Sequence, residues 1–378
     1  MGKMKILQVN KLYYPEIGGI EKTLQQISEG LSKDPEVDLK VLVCQKKGKG
    51  QVEYVNGVEV HRSGSLGVVA SVPISFSFIW NLRKLAKDMD VIQFHLPFPL
   101  GDLACLLSGY RGKVVAYWHS DVVKQKKWML LYRPVMERFL KRADVILVGA
   151  EGIINGSKYL KPYRDKCKVV PFAVSDEILE AGKRYLNQYK WRTMLNQTHF
   201  LFIGRLVYYK GCSVLLEAFS KISSEATLTI IGEGFLKKEL MLQAEQSGIL
   251  ERVRFKGYVD GEKLKECMQQ ADVFVLPSVE RSEAFGLVQL EAMAYGIPVI
   301  NTNLPSGVPE VSIHQKTGLT VKPGSSENLA SAMEWMCKHP FERRRMGTAA
   351  RQRVEERFTQ DIMVNTIKQV YKELVKID

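Results

Sequence analysis

The sequence has no Cys-x-x-Cys pair. Its six cysteines, at positions 44, 105, 167, 212, 267 and 337, are scattered, which argues against a structural zinc site and for reduced thiols in a cytosolic compartment. A bilayer-spanning run is also lacking. The longest apolar stretch, Leu66 to Trp80, is broken by serines and Pro73 and falls short of the roughly 20 residues that a membrane helix needs. The N-terminus, Met1-Gly-Lys-Met-Lys-Ile-Leu-Gln-Val9, turns polar after one short apolar run, so it reads as a first strand and not as a secretory leader. Ile6 stands where a myristoylation motif needs Ser or Thr. A dinucleotide fingerprint fails as well: in Gly232-Glu-Gly234 the third glycine would fall at 237, which is Lys.

What is present is a folded chain with 46% hydrophobic and 25% charged residues. At 378 residues it is too long for one ordinary core, and two domains are expected. An excess of 54 Lys+Arg over 41 Asp+Glu gives +13, which favours phosphate-bearing partners or an anionic membrane surface. Nucleic acid would satisfy the same charge, but no nucleic-acid motif accompanies it.

Apolar strand-like runs alternate with helical stretches: Ile6–Val9, Leu39–Val43, Val91–Phe94, Val114–Trp118, Val145–Val148 and Lys168–Val170. A second series follows at Phe200–Ile203, Thr227–Ile231, Val253–Phe255, Val273–Leu276, Pro298–Ile300 and Leu319–Val321. This alternation predicts two α/β domains, each with a parallel sheet. The expected boundaries are a first Rossmann-like domain over 1–174, a linker over 175–198, a second over 199–358, and a C-terminal helix over 359–378 crossing back to the first.

Chemistry concentrates in Ala271–Glu310. Ala271-Asp-Val-Phe-Val-Leu-Pro277 reads as a buried strand, followed by the polar turn Ser278-Val-Glu-Arg-Ser-Glu283-Ala-Phe-Gly286 and the helix-like Leu287-Val-Gln-Leu-Glu291-Ala-Met-Ala-Tyr-Gly296. The spacing lets Glu283 and Glu291 both face the mouth where the strand ends, which is where open α/β sheets bind ligands. The amides of Phe285 to Val288 would be first-turn donors suited to an anion. Two glutamates enriching a helix start against its dipole is the plainer alternative.

Other loops after strands carry candidates of the same kind. Gly18-Gly19 precedes an amphipathic helix and would let backbone approach a ligand, unless it is an ordinary turn. His119, in Trp-His-Ser-Asp121, sits at the end of Val114–Trp118, and His95 follows Val91–Phe94; each could be ligand-facing or a core histidine. Gly204-Arg205 and Lys210-Gly211 place two cations in one loop, a pair suited to a diphosphate. Tyr258 and Val259 offer an aromatic edge and main-chain groups to a base. From Val122 to Arg142, seven Lys/Arg are interleaved with Trp128, Met129, Leu130, Leu131 and Tyr132. That composition suits a lipid headgroup region and equally a solvated basic helix.

With Gly204-Arg205, Lys210-Gly211, Gly232-Glu-Gly234 and Ser282-Glu283-Ala-Phe-Gly286-Leu-Val-Gln-Leu-Glu291-Ala-Met in this order, nearly the whole chain resembles the large retaining glycosyltransferase family of GT-B fold, the glycosyl transferases group 1, its mannosyl and rhamnosyl members above all. The resemblance implies two Rossmann-like domains with parallel sheets facing across a cleft. It also implies that Arg205 and Lys210 bind the donor diphosphate and stabilise the leaving group, that Glu283 contacts sugar hydroxyls and Glu291 the ribose, and that amides at Gly286, Leu287 and Val288 meet phosphate and sugar. By the same resemblance His119 lies near the sugar's primary hydroxyl and the Gly18-Gly19 loop closes over the phosphates. No metal and no cofactor are expected, because cations and amides would supply the positive charge that Mg²⁺ gives in other transferases. Two departures are visible: Ser306-Gly307-Val308-Pro309-Glu310 where the family has a glycine pair before Pro-Glu, and Phe172-Ala-Val-Ser-Asp176 where it has Asn-Gly-Val-Asp.

The expectation is therefore a hexosyltransferase, mannose from GDP-mannose being the first choice, acting on a lipid-linked or polysaccharide acceptor of a bacterial surface glycan such as O-antigen or capsule. It would work on the cytoplasmic face of the membrane, bound to anionic lipid and not to nucleic acid. A UDP- or dTDP-linked donor is an alternative. A nucleotide-sugar epimerase would need a carboxylate set in the first domain, where Glu16, Glu21, Asp102 and Asp121 stand near strand ends, and a non-catalytic glycan-binding protein would not need Glu283, Arg205 and Lys210.

Overall fold

Parallel sheets need both faces covered, and the uninterrupted apolar runs supply strands that can be buried on both sides. The computed structural model describes residues 2–16, 18–69, 72–121, 126–188, 197–223 and 225–376, with the backbone alone at 126–128 and 187–188. Met1–Ala173 with Gln360–Asp378 form one unit, and Val174–Thr359 form a second.

The first unit holds β1 (Met4–Val9), β2 (Val37–Cys44), β3 (Gln51–Val55), β4 (Val58–Ser63), β5 (Val68–Val69), β6 (Val72–Pro73), β7 (Val91–Leu96), β8 (Lys113–Trp118), β9 (Val145–Val148) and β10 (Cys167–Val169). Eight of them form one sheet in the order β10-β9-β8-β7-β1-β2-β4-β3. All its pairs are parallel except β3–β4. The strand series read from apolar runs omits β3 and β4, although the sequence marks their turn: Asn56 (φ 48) and Gly57 (φ 84) are both left-handed, as a two-residue hairpin turn requires. β5 and β6 make a separate ribbon within the Leu66–Trp80 run.

Order reverses beside β1, whose neighbours are β2 on one side and β7 on the other. The carboxyl ends of β1 and β7 therefore flank a switch point, where α/β sheets leave a crevice. The helix Gln360–Lys376 packs on the helix Gly19–Ser32 through a buried stripe of Met363, Val364, Ile367, Val370 and Tyr371. At Gly30 an added Cβ would come within 2.6 Å of Val364.

The second unit holds β11 (Thr198–Ile203), β12 (Ala226–Ile231), β13 (Val253–Gly257), β14 (Val273–Leu276), β15 (Val299–Thr302) and β16 (Gly318–Val321). They form an all-parallel sheet ordered β13-β12-β11-β14-β15-β16, so its switch point lies between β11 and β14. Phe200, Phe202, Leu215, Leu216, Phe219 and Met333 are among its core. The segment 175–198, read as a linker, belongs mostly to this unit. Its helix Asp176–Gln188 packs on the helix Leu287–Ala294, so closely that a Cβ on Gly182 would lie 2.1 Å from the Ala294 carbonyl oxygen. Residues 189–196 are outside the described residues, as is Lys124 of the basic run.

One buried acid stands out in the first unit. Asp102, in the first turn of the helix Pro99–Ser108, is fully buried. The Tyr132 hydroxyl, from the helix Lys126–Arg142, donates to its Oδ2, while Oδ1 finds no partner among the described residues. Burial pushes its pKa up to about 8 against the pull of the Tyr132 hydrogen bond. The folded form thus holds a proton that the unfolded chain releases near pH ~4. Its contribution to stability is full below that pH and is lost as pH rises to about 8. Asp102→Asn is expected to flatten the fall in thermal stability over this range; an unchanged slope in pH-resolved melting curves would show that Asp102 is not its source.

Candidate active site

In the second unit three turns crowd together at the carboxyl ends of the central strands. Gly232, after β12, has φ +138 and a Cβ there would lie 1.9 Å from the Gly204 carbonyl oxygen; at Gly234 it would lie 2.1 Å from that of Leu206. Only glycine permits these approaches. Gly211 (φ +70) does the same against the Pro277 carbonyl at 2.0 Å. The turn after β11 is thereby set against the exit of β14, and the Val279 amide donates to the Tyr209 carbonyl at 2.9 Å.

That contact brings Lys210 to Glu283. Lys210 Nζ stands 2.5 Å from Glu283 Oε2, with side-chain exposures of 12% and 9%, and Ser278 Oγ donates to the same oxygen at 3.0 Å. Burial works against the Lys210 charge, but the Glu283 carboxylate outweighs it and holds the ammonium pKa above its ordinary range. Arg205 joins through Tyr209, its Nη2 donating to the phenol oxygen at 2.9 Å, while Lys210 Nζ lies 5.6 Å from the same ring's centre. Arg205, Lys210 and Glu283 thus form one cluster around Tyr209.

The turn carrying Glu283 is braced by residues that the sequence reading passed over. Gln289, fully buried, donates to the Phe285 carbonyl at 2.7 Å. Asn301 donates to the Val308 carbonyl at 2.9 Å and Thr302 to that of Ser278 at 2.6 Å. Polar residues closing the apolar run Val299-Ile-Asn-Thr302 were the available signal. Gly286, at φ +72, leads into the helix Leu287–Ala294 and leaves no room for a Cβ, which would meet Leu276 at 2.5 Å. Phe285 is buried edge-on against Phe358, whereas Leu287, Val288 and Glu291 are half-buried on the helix. Tyr258 and Val259 follow β13, the edge strand, with Tyr258 62% exposed.

In the first unit, period-two alternation along β1, β7 and β8 sets Gln8, Gln93, His95, Tyr117 and His119 on one face. Gln8 is the register partner of Gln93, and His95 that of Tyr117. His95 Nδ1 lies 2.9 Å from His119 Nε2, and His119 stacks on Phe172 at 5.0 Å and 10°. Burial drives the His95 pKa down to about 3. Burial, then His95 and Lys11, drive that of His119 well below its usual value. Both rings are neutral near pH 7. Glutamines inside the strands Met4–Val9 and Val91–Leu96 were the sequence signal for this cluster.

Gly18 caps the helix Gly19–Ser32 with extended backbone that any residue adopts, and the Glu21 carboxylate, 2.1 Å from a would-be Cβ, is the movable end of a side chain. The other first-unit carboxylates serve separate contacts. Glu16 pairs with Lys46, Asp102 with Tyr132, and Asp121 with Trp118 and Ser157. Asp88 and Asp90, an Asp-x-Asp triplet, precede β7 at the opposite end of the sheet, where Asp90 accepts from the Lys5 amide at 2.8 Å. Among the described residues no three His, Cys, Asp or Glu side chains gather as a metal site would need.

Residues 17–177 match the model of Glycosyltransferase Family 4, and residues 187–353 match that of glycosyl transferases group 1. The chain is 35% identical to D-rhamnosyltransferase WbpZ of Pseudomonas aeruginosa over 94% of its own length and 92% of that protein. It is 32% identical to O-antigen chain mannosyltransferase C of Escherichia coli over 99% of each. Sucrose-phosphate synthase from Thermosynechococcus elongatus shares the fold, with a TM-score of 0.78, 20% identity and 100% of both chains covered.

A buried pair is costly to break from one side, because the partner's charge is left uncompensated. Lys210→Ala is expected to destabilise the protein by about 3–5 kcal/mol, and adding Glu283→Gln should recover a large part. Additive losses in denaturant unfolding would mean that the two side chains do not act as a pair.

Proposed function

The chain belongs to the glycosyl transferases of group 1, and we propose that it moves mannose from GDP-mannose, with retention at the anomeric carbon, onto a lipid-linked or polysaccharide acceptor of a bacterial surface glycan. The observation that carries this reading is the cluster of Arg205, Lys210 and Glu283 at the carboxyl ends of β11 and β14. A diphosphate leaving group gathers negative charge as the glycosidic bond breaks, and preorganised cations in a half-buried site stabilise it far better than water does. Arg205 and Lys210 are such cations, and no metal is required for that role. Once phosphate draws Lys210, the Glu283 carboxylate becomes an acceptor for sugar hydroxyls. Glu291 takes the ribose, the amides at Gly286, Leu287 and Val288 meet phosphate and sugar, and the Gly18-Gly19 loop approaches the phosphates. His119 meets the sugar's primary hydroxyl. Attack on the same face that the phosphate leaves, with that phosphate accepting the acceptor's proton, gives retention without an enzymic nucleophile.

Similarity along nearly the whole chain to proteins named for mannose and D-rhamnose transfer supports a hexose of this stereochemistry. In a thermal-shift panel of nucleotide sugars, GDP-mannose is expected to stabilise the protein most, ahead of UDP- and dTDP-linked sugars. Arg205→Ala or Lys210→Ala should abolish both that shift and transfer, and the anomeric proton of the product should report the donor's configuration. Wild-type turnover in either variant would remove these cations from the mechanism, and an inverted product would contradict retention.

A membrane-surface location is part of the same proposal. Three neighbouring helices of the first unit, Ser77–Ala86, Pro99–Ser108 and Lys126–Arg142, leave large apolar side chains exposed: Phe76 and Trp80, Leu103 and Leu107, Leu130 and Leu131. Arg83, Lys84, Arg133, Arg138, Lys141 and Arg142 share these helices. Apolar groups beside basic ones suit the headgroup boundary of an anionic bilayer. Among the described residues no helix is long and apolar enough to cross it. Sedimentation with phosphatidylglycerol vesicles is expected to fall in Trp80→Ser/Leu130→Asn/Leu131→Asn protein and in protein with Lys124, Lys126 and Lys127 neutralised; unchanged binding in both would sink the membrane reading.

A further inference from the structure

The buried polar cluster of the first unit can be followed donor by donor from the far end of the chain. Tyr371, on the helix Gln360–Lys376, is fully buried. Its hydroxyl accepts from Gln8 Nε2 at 2.8 Å and donates to Gln93 Oε1 at 2.7 Å. Held this way, Gln8 presents its Oε1 to Gln93 Nε2 at 3.1 Å and to His95 Nε2 at 3.0 Å. A carbonyl oxygen can only accept, so His95 Nε2 carries the proton; the opposite assignment would set two lone pairs face to face. The 3.2 Å approach of Gln93 Nε2 to His95 Nε2 is then that of two donors converging on one oxygen. A neutral imidazole has a single N–H. With it directed to Gln8, His95 Nδ1 is an acceptor, and His119 Nε2, 2.9 Å away, must donate to it.

We infer that Tyr371, Gln8, Gln93 and His95 are positioning residues that fix His119 as its Nε2-protonated tautomer, so that Nδ1 offers a lone pair to the primary hydroxyl of the donor sugar. The inference rests on the reading that His119 meets that hydroxyl. It adds a residue from the last helix of the chain to the donor's recognition and gives His119 a selective task. A hydroxyl can donate to Nδ1, whereas a 6-deoxy sugar such as D-rhamnose has nothing to donate. The network therefore favours mannose over its 6-deoxy analogue.

Two measurements test it. In protein labelled with ¹⁵N-histidine, ring-nitrogen shifts near neutral pH are expected to show His119 protonated at Nε2, and Tyr371→Phe to lose that single tautomer. His119 protonated at Nδ1 in the wild type would overturn the inference, and this arm needs no donor, so it stands or falls apart from the choice of GDP-mannose. In transfer assays, Tyr371→Phe should lower kcat/KM for GDP-mannose about tenfold, the worth of one hydrogen bond, and leave that for GDP-D-rhamnose nearly unchanged. Equal loss with both donors would mean a merely structural role. His95→Phe keeps a ring in the stack without Nδ1 and should show the same selectivity, which covers the case that Tyr371→Phe does not fold.

Discussion

A lysine ammonium taken out of water must be neutralised or lose its proton, and in the second unit Glu283 does the neutralising. Lys210 and Glu283 come from turns after different strands, so their 2.5 Å contact requires both turns to be placed to within a fraction of an ångström. Much of the surrounding detail serves that end. Gly211 lets one turn lie on the Pro277 carbonyl, and Gly232 and Gly234 let the next lie on Gly204 and Leu206. Gln289, Asn301 and Thr302 hold the turn of Glu283 from behind.

The two units solve the same geometric problem with different chemistry. Each places its polar side chains at a switch point, where neighbouring strands send their connections to opposite sides. The second unit fills that place with opposite charges. The first fills it with neutral groups, since His95 and His119 are too deeply buried to hold a proton near pH 7, and satisfies them with two glutamines and a phenol. A charged cluster suits a phosphate, and a neutral one suits hydroxyls.

The strand series was legible because buried parallel strands demand unbroken apolar runs, and every one of the runs read from the sequence overlaps a strand, Val170 and Pro298 falling one residue outside theirs. The β3–β4 hairpin escaped that reading because it is partly exposed and polar on one side, although Asn56-Gly57 announced it. Arg205, Lys210, Glu283 and His119 could be picked out as residues after strands. Their pairing could not, since Lys210 meets Glu283 and His119 meets His95 only through sheet order. The C-terminal helix was expected to cross back to the first domain, but nothing around Tyr371 says that its phenol would meet Gln8 and Gln93 there. The polar composition of the segment 175–198 hid which unit its helix joins; the Tyr185 hydroxyl on the Gln269 carbonyl, Arg351 on that of Leu179 and the narrow Gly182 contact tie it to the second.

The return of the last helix to the first unit also orders the events of synthesis. A ribosome adding roughly 5–20 residues per second completes the first 173 residues well before it reaches Gln360. In the interval it makes the whole second unit, over roughly ten to forty seconds at that rate. Throughout that time Gln8 and Gln93 lack the phenol that orients them, and Gly30 lacks the helix against which it packs. The first unit is thus completed only after the second has been made, and the residues that would recognise the sugar take up their final arrangement only then.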